Sequence, residues 1–250
     1  MDMKIKTKFS RLWKKYFNGA DLPITFYYTE EGKKIEEPKL SPKTRCLICA
    51  LSPVRKGKSL RFSVDTIGCA GGKRYLGFTR SLRPNFEYFL SCGIPGELEG
   101  ERYKKTPEMV KEIMKKMPEF KTPARYIVFK RWDELEENDN PDVVIFFSPP
   151  DVLSGLFTLT SFDEVESSGV IAPFSAGCGS IVQYPYLEKN SDHPRAVLGM
   201  FDVSARPCVP GETLTFSVPI NKFTRMIDDI EESFLTTSSW SKVKKRIAKL

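Results

Sequence analysis

The chain has 250 residues, 40% of them hydrophobic and 28% charged, an ordinary composition for a globular protein with a substantial core. No apolar run approaches the ~20 residues of a membrane span, and the first residues lack the apolar core of a signal peptide, so the expected setting is cytoplasmic. The net charge of +7 is concentrated at the ends: residues 1–15 and 241–250 each sum to +5 and residues 16–240 to −3, which argues against a nucleic-acid-binding body.

In chain order, residues 1–19 form a basic amphipathic segment with Ile5, Phe9, Leu12 and Tyr16 on one helical stripe. Its charged face, like that of the basic tail at 237–250, reads as a solvated helix surface, an anionic partner or a homodimer contact being the alternatives. ITFYY at 24–28 follows Pro23 and predicts a buried strand; the charged stretch 29–45, with Gly32, Pro38 and Pro42, predicts a loop. CLICAL at 46–51 opens a short helix. Leu60, Phe62 and Val64 alternate with polar residues through Asp65, a strand that delivers the chain to Gly68-Cys69.

Residues 84–105 are rich in Gly and Pro and irregular, and Thr106-Pro107 then starts a helix with Val110, Ile113, Met114 and Met117 on one stripe. Strands are predicted at 124–129 and 143–147. After the second, Ser148-Pro149-Pro150-Asp151 is a helix-start signature, with the helix expected to run to Ser168 and stop at Gly169. A second glycine-flanked cysteine follows, Cys178 between Gly177 and Gly179. Strands at 196–201 and 213–218 and a helix from Ile220, with Phe223, Ile227, Ile230 and Phe234 on one face, complete the chain.

This order predicts an α/β to α+β fold in one domain over 20–236, with mixed sheets carrying helices on their outer faces. Two halves, about 20–130 and 140–219, repeat one order: proline, strand, helical segment, strand, glycine-flanked cysteine. A degenerate duplication would place a pseudo-twofold axis between Cys69 and Cys178 and bring the two turns toward a shared guest.

The chemistry resides in the cysteines. Six in 250 residues are too sparse for a disulfide scaffold, so free thiols or metal ligands are expected. Cys46 and Cys49 have the two-residue gap that lets both sulfurs face one point, and Cys69 and Cys178 complete a four-thiolate set, with Cys92 and Cys208 in reserve. Ligands from separated loops and a single histidine, His193, favour an iron–sulfur cluster over zinc. The alternative is a cofactor-independent racemase or epimerase, in which Cys69 and Cys178 act as base and acid on a small carboxylic acid. The N–H groups of Gly71, Gly72 and Gly179, and the Arg206 guanidinium, would then hold the anionic ligand. A third reading is a non-catalytic small-ligand-binding protein. No G-x-x-x-x-G-K-[ST] or G-x-G-x-x-G occurs, so no nucleotide cofactor is expected.

The sequence of motifs RCLICAL, GCAGGKRYLGF, PDVVIFFSPPDVLSGL, SAGCGSIVQYP and LGMFDVSAR resembles the uncharacterised ArCR family. The resemblance covers roughly residues 20–235. It implies a cysteine in the first helical segment (Cys46 or Cys49), a Cys-Gly-Gly turn at Cys69, a later cysteine at Cys178, and a paired Gly199 and Arg206. Ala70, standing between Cys69 and Gly71, departs from that turn. The family has no agreed activity, so its name implies a layout and leaves the chemistry to the residues.

Overall fold

The run VVIFFS at 143–148 is buried at every position, which only a strand covered on both faces allows. A computed structural model, describing residues 1–31, 35–39, 41 and 45–249, places it at the centre of one sheet. The strands are β1 (Ile24–Thr29), β2 (Leu60–Phe62), β3 (Tyr126–Arg131), β4 (Val143–Ser148), β5 (Val170–Ile171), β6 (Ala196–Gly199) and β7 (Leu214–Pro219). Their order is β2-β3-β1-β4-β7-β6-β5, and every neighbouring pair is antiparallel except β5 with β6. The result is a mixed sheet with helices on both faces, an α+β fold. Gly32 and Pro42 of the expected loop lie outside the described residues.

The helices are α1 (Met3–Tyr16), α2 (Leu47–Ala50), α3 (Ser52–Arg55), α4 (Ala70–Tyr75), α5 (Phe86–Phe89), α6 (Pro107–Lys116), α7 (Pro150–Thr160), α8 (Tyr184–Glu188), α9 (Ile220–Asp229) and α10 (Ser238–Ile247). Strand alternation sorts the core into two. On one face Val144, Phe146, Phe216 and Val218 meet α1, α7, α9 and α10. On the other, Ile24, Phe26, Phe129 and Ile145 meet α2, α3, and the segments carrying Ile67, Leu76, Cys178 and Ile181. The cysteine chemistry sits wholly on this second face.

Both basic ends form the amphipathic helices their periodicity predicts, and their apolar stripes are core. Phe9, Leu12, Trp13 and Tyr16 are buried in α1, and Trp240 and Ile247 in α10. The Trp240 indole N–H donates to the carbonyl of Tyr16 at 3.0 Å. Cations of α1 find their anions within the chain: Lys8 pairs with Asp228, and Arg11 and Lys15 with Glu231.

Several expectations differ from the structure. Helix α7 ends at Thr160 instead of Ser168, because Glu164 leaves the helical path to pair with the buried ammonium of Lys222, and an interior cation requires such a partner. Strand β2 ends at Phe62 because Ser63 N–H bonds to the Thr66 hydroxyl and closes a turn, leaving Val64 exposed. A duplication into two like halves is not shown. An axis between the antiparallel neighbours β1 and β4 would stand perpendicular to the sheet and preserve its faces, yet α2 after β1 and α7 after β4 lie on opposite faces. Cys69 and Cys178 share a face for another reason, given next.

Candidate functional site

Residues 45–49 run between the two glycine turns, and the glycines are what let them in. A Cβ at Gly68 would stand 2.9 Å from the Arg45 Cα. At Gly72 it would stand 2.8 Å from Ile67 and 3.8 Å from Leu47, and at Gly177 3.2 Å from Ile48. The turns are therefore walls of a cradle for the Cys46–Cys49 helix, drawn together by close packing on that helix.

Each cysteine has a defined seat. Cys46 is extended at the start of α2, where its side chain makes no capping hydrogen bond. Cys69 caps α4, its Sγ accepting from the Gly72 N–H at 3.2 Å. Cys178 precedes a single π-helical turn, Gly179–Gln183, a geometry frequent at functional sites. Beside it, buried Met200 has φ of +69°, a strained left-handed backbone for a bulky residue. Its sulfur would lie 3.3 Å from a Cβ on Gly177.

The trio whose sulfurs converge is Cys46, Cys49 and Cys208, all within 4.8 Å of one another and all partly exposed. Cys49 and Cys208 are joined as a disulfide with Cα atoms 4.7 Å apart. Here the structure corrects the expectation that all cysteines are free. It brings two cysteines far apart in sequence to one point because α2 and the turn Arg206–Cys208 pack against the same core. Cys46, Cys69, Cys92 and Cys178 are free thiols. Cys92 is exposed on the irregular loop near Gly93 and takes no part.

Cys69 and Cys178 are close enough to act on the trio electrostatically. Burial pushes the Cys46 thiol up, the nearby backbone of Cys49 and Ile48 opposing it and the charges of Cys69 and Asp202 adding to the rise. Burial likewise pushes Cys178 well above an ordinary thiol, and the charges of Cys69, Cys46 and Asp202 reinforce it. The adjacent Tyr75 phenol is pushed up to about 12 by burial and then by Cys178. Asp202 ties the Gly177 turn to the segment leading to Cys208, its carboxylate accepting from the Gly177 N–H at 3.0 Å and from the Ser204 N–H and hydroxyl.

Arg206 does not pair with Asp202. Its guanidinium donates to the carbonyls of Gly211 and Thr213, bracing the loop that follows Cys208. Gly71 has open space where a Cβ would stand, whereas a Cβ on Gly179 would meet the Ser175 hydroxyl at 2.8 Å and the Tyr75 ring at 3.0 Å. Cys208, a reserve in sequence, is a full member of the group, and Asp202 is the residue that sequence reasoning missed as a partner of Gly177. The available signal was RPC beginning four residues after Asp202: a short turn after a buried strand, level with the other cysteines only once the sheet is assembled.

A family model described as uncharacterised ArCR, domain of unknown function 169, matches residues 15–229, which span the sheet, both glycine turns and every cysteine of the site. The chain belongs to this family. For an ArCR protein the match supplies the extent of the shared fold and no activity. No curated protein and no solved structure shows a significant match to the chain. Among the described residues no helix is long and apolar enough to cross a membrane.

Proposed function

We propose that this ArCR protein binds a thiophilic metal centre through Cys46, Cys49 and Cys208, with Cys69 beside them as fourth donor, in a reducing compartment such as the cytoplasm. The observation that carries the reading is the convergence of three sulfurs within 4.8 Å. A tetrahedral ion with metal–sulfur bonds of about 2.3 Å sets its sulfurs roughly 3.8 Å apart, a spacing this trio accommodates once its disulfide is open. An iron–sulfur cluster would use the same thiolates and draw on Cys69 and Cys178 for its wider reach. Zinc is the simpler occupant of the trio alone.

The two-thiol acid–base reading has less support, because Arg206, its expected clamp for a carboxylate, is committed to the carbonyls of Gly211 and Thr213. Anaerobic preparation of the reduced protein, followed by iron, zinc and sulfide analysis and absorption spectra, tests the proposal. One metal or cluster per chain, lost in Cys46→Ser, supports it. A fully reduced, folded protein that takes up neither iron nor zinc overturns it.

A further inference from the structure

We infer that the Cys49–Cys208 disulfide is a redox gate on this site: oxidised, it withholds two of the three converging thiolates, and reduced, it opens a site already in place. The inference rests on the metal-binding reading and adds its regulation.

Three observations carry it. First, a free thiol stands within 4.8 Å of both sulfurs of the disulfide, so the cross-link lies inside a group of potential ligands. A bond serving only to staple the fold needs no such neighbour. Secondly, the two halves of the disulfide are held by contacts independent of it. The helix bearing Cys49 is seated against Gly72 and Gly177, and Arg45 just before it against Gly68. The turn bearing Cys208 is fixed by the Ala205 and Arg206 N–H groups on the Asp202 carbonyl, and by Arg206 on the carbonyls of Gly211 and Thr213. Reduction therefore leaves the sulfurs near their places, and the ordering cost of assembling a metal site is already met by packing. Thirdly, all three sulfur-bearing residues are partly exposed, so a small reductant reaches them. Cys178, by contrast, is buried.

The chemistry balances with a dithiol as reductant. Two electrons and two protons pass from the dithiol to the Cys49–Cys208 bond, giving two protein thiols and the reductant's own disulfide. A divalent ion then binds as the thiols of Cys46, Cys49 and Cys208 release their protons. Oxidation reverses both steps and expels the ion, because a disulfide sulfur is a poor donor compared with a thiolate.

The test uses the full chain and Cd²⁺ as probe, followed by its thiolate charge-transfer absorption, with thiols counted in denaturant. Oxidised protein should show four of its six cysteines as thiols and no charge-transfer band. Protein reduced by a resin-bound dithiol should show six thiols and bind one Cd²⁺ per chain, and reoxidation should release the ion as two thiols disappear. Cys208→Ser, which cannot form the disulfide and lacks one donor, should show the same weakened Cd²⁺ binding before and after the dithiol, and Cys92→Ser should keep the full redox difference. Equal Cd²⁺ binding by oxidised and reduced wild type overturns the gate and leaves the metal site standing. No binding by either form, with six thiols counted, overturns the metal site itself. Loss of near-ultraviolet circular dichroism on reduction overturns the claim that packing alone holds the site. The wild-type comparison decides even if Cys208→Ser fails to fold.

Discussion

Opening the Cys49–Cys208 bond should lower stability substantially without unfolding the protein. The cross-link spans 159 positions, and the loop-closure entropy of a ring that size amounts to about 5 kcal/mol at 25 °C, an upper figure because disulfides more often deliver about 2–4 kcal/mol. At about 2–4 °C per kcal/mol for a chain of this length, the smaller range corresponds to a thermal midpoint lower by roughly 4–16 °C. The packed face around Phe26, Phe129 and Ile145 remains, and it keeps the reduced chain folded. The assay is thermal unfolding of wild type with and without a dithiol, beside the Cys49→Ser, Cys208→Ser double variant. Reduced wild type and the variant should coincide, and a saturating thiophilic metal should raise the first but not the second, by about 2.7 kcal/mol at 100 times its dissociation constant. Complete reduction with an unchanged midpoint would refute the reasoning, since the entropy argument leaves no room for a silent cross-link of this span.

Two further outcomes follow from the packing. Burial holds the Cys46 and Cys178 thiols above the ~8.5 of a free cysteine, so above that pH the unfolded chain loses protons that the folded chain keeps. Stability is therefore intact below about pH 8.5 and falls as pH rises past it; urea midpoints from about pH 7.5 to about pH 9.5 should drop less steeply in Cys178→Ala, and equal slopes would count against the burial assignment. Gly155→Ala would put a Cβ 2.4 Å from the Trp240 ring, so helix α10 must shift, at a cost of roughly 1–3 kcal/mol visible as a lower thermal midpoint; an unchanged midpoint would show that α10 is not locked there.

Much of the fold is local information. The apolar run at 143–147, the alternation at 60–62 and the proline-started helices follow from side-chain period and backbone chemistry over a few residues, and those elements form where that chemistry puts them. The amphipathic stripes of both ends are legible for the same reason. That a stripe becomes core is decided by which faces the sheet leaves uncovered, and residues 1–16 carry no record of α9. Likewise Glu164 ends α7 early to serve Lys222, a partner 58 residues away.

The site divides along the same line. The facing pair Cys46 and Cys49 and the two other cysteines in glycine-rich bends are legible from the chain alone, because spacing and glycine are properties of neighbouring residues. That Cys208, 159 positions away, joins Cys49, and that the glycines serve as a bed for residues 45–48, emerges once the chain is folded. The reason is physical: which sulfurs meet depends on the order of strands and on which face each helix covers, and those follow from the whole chain burying its apolar surface at once.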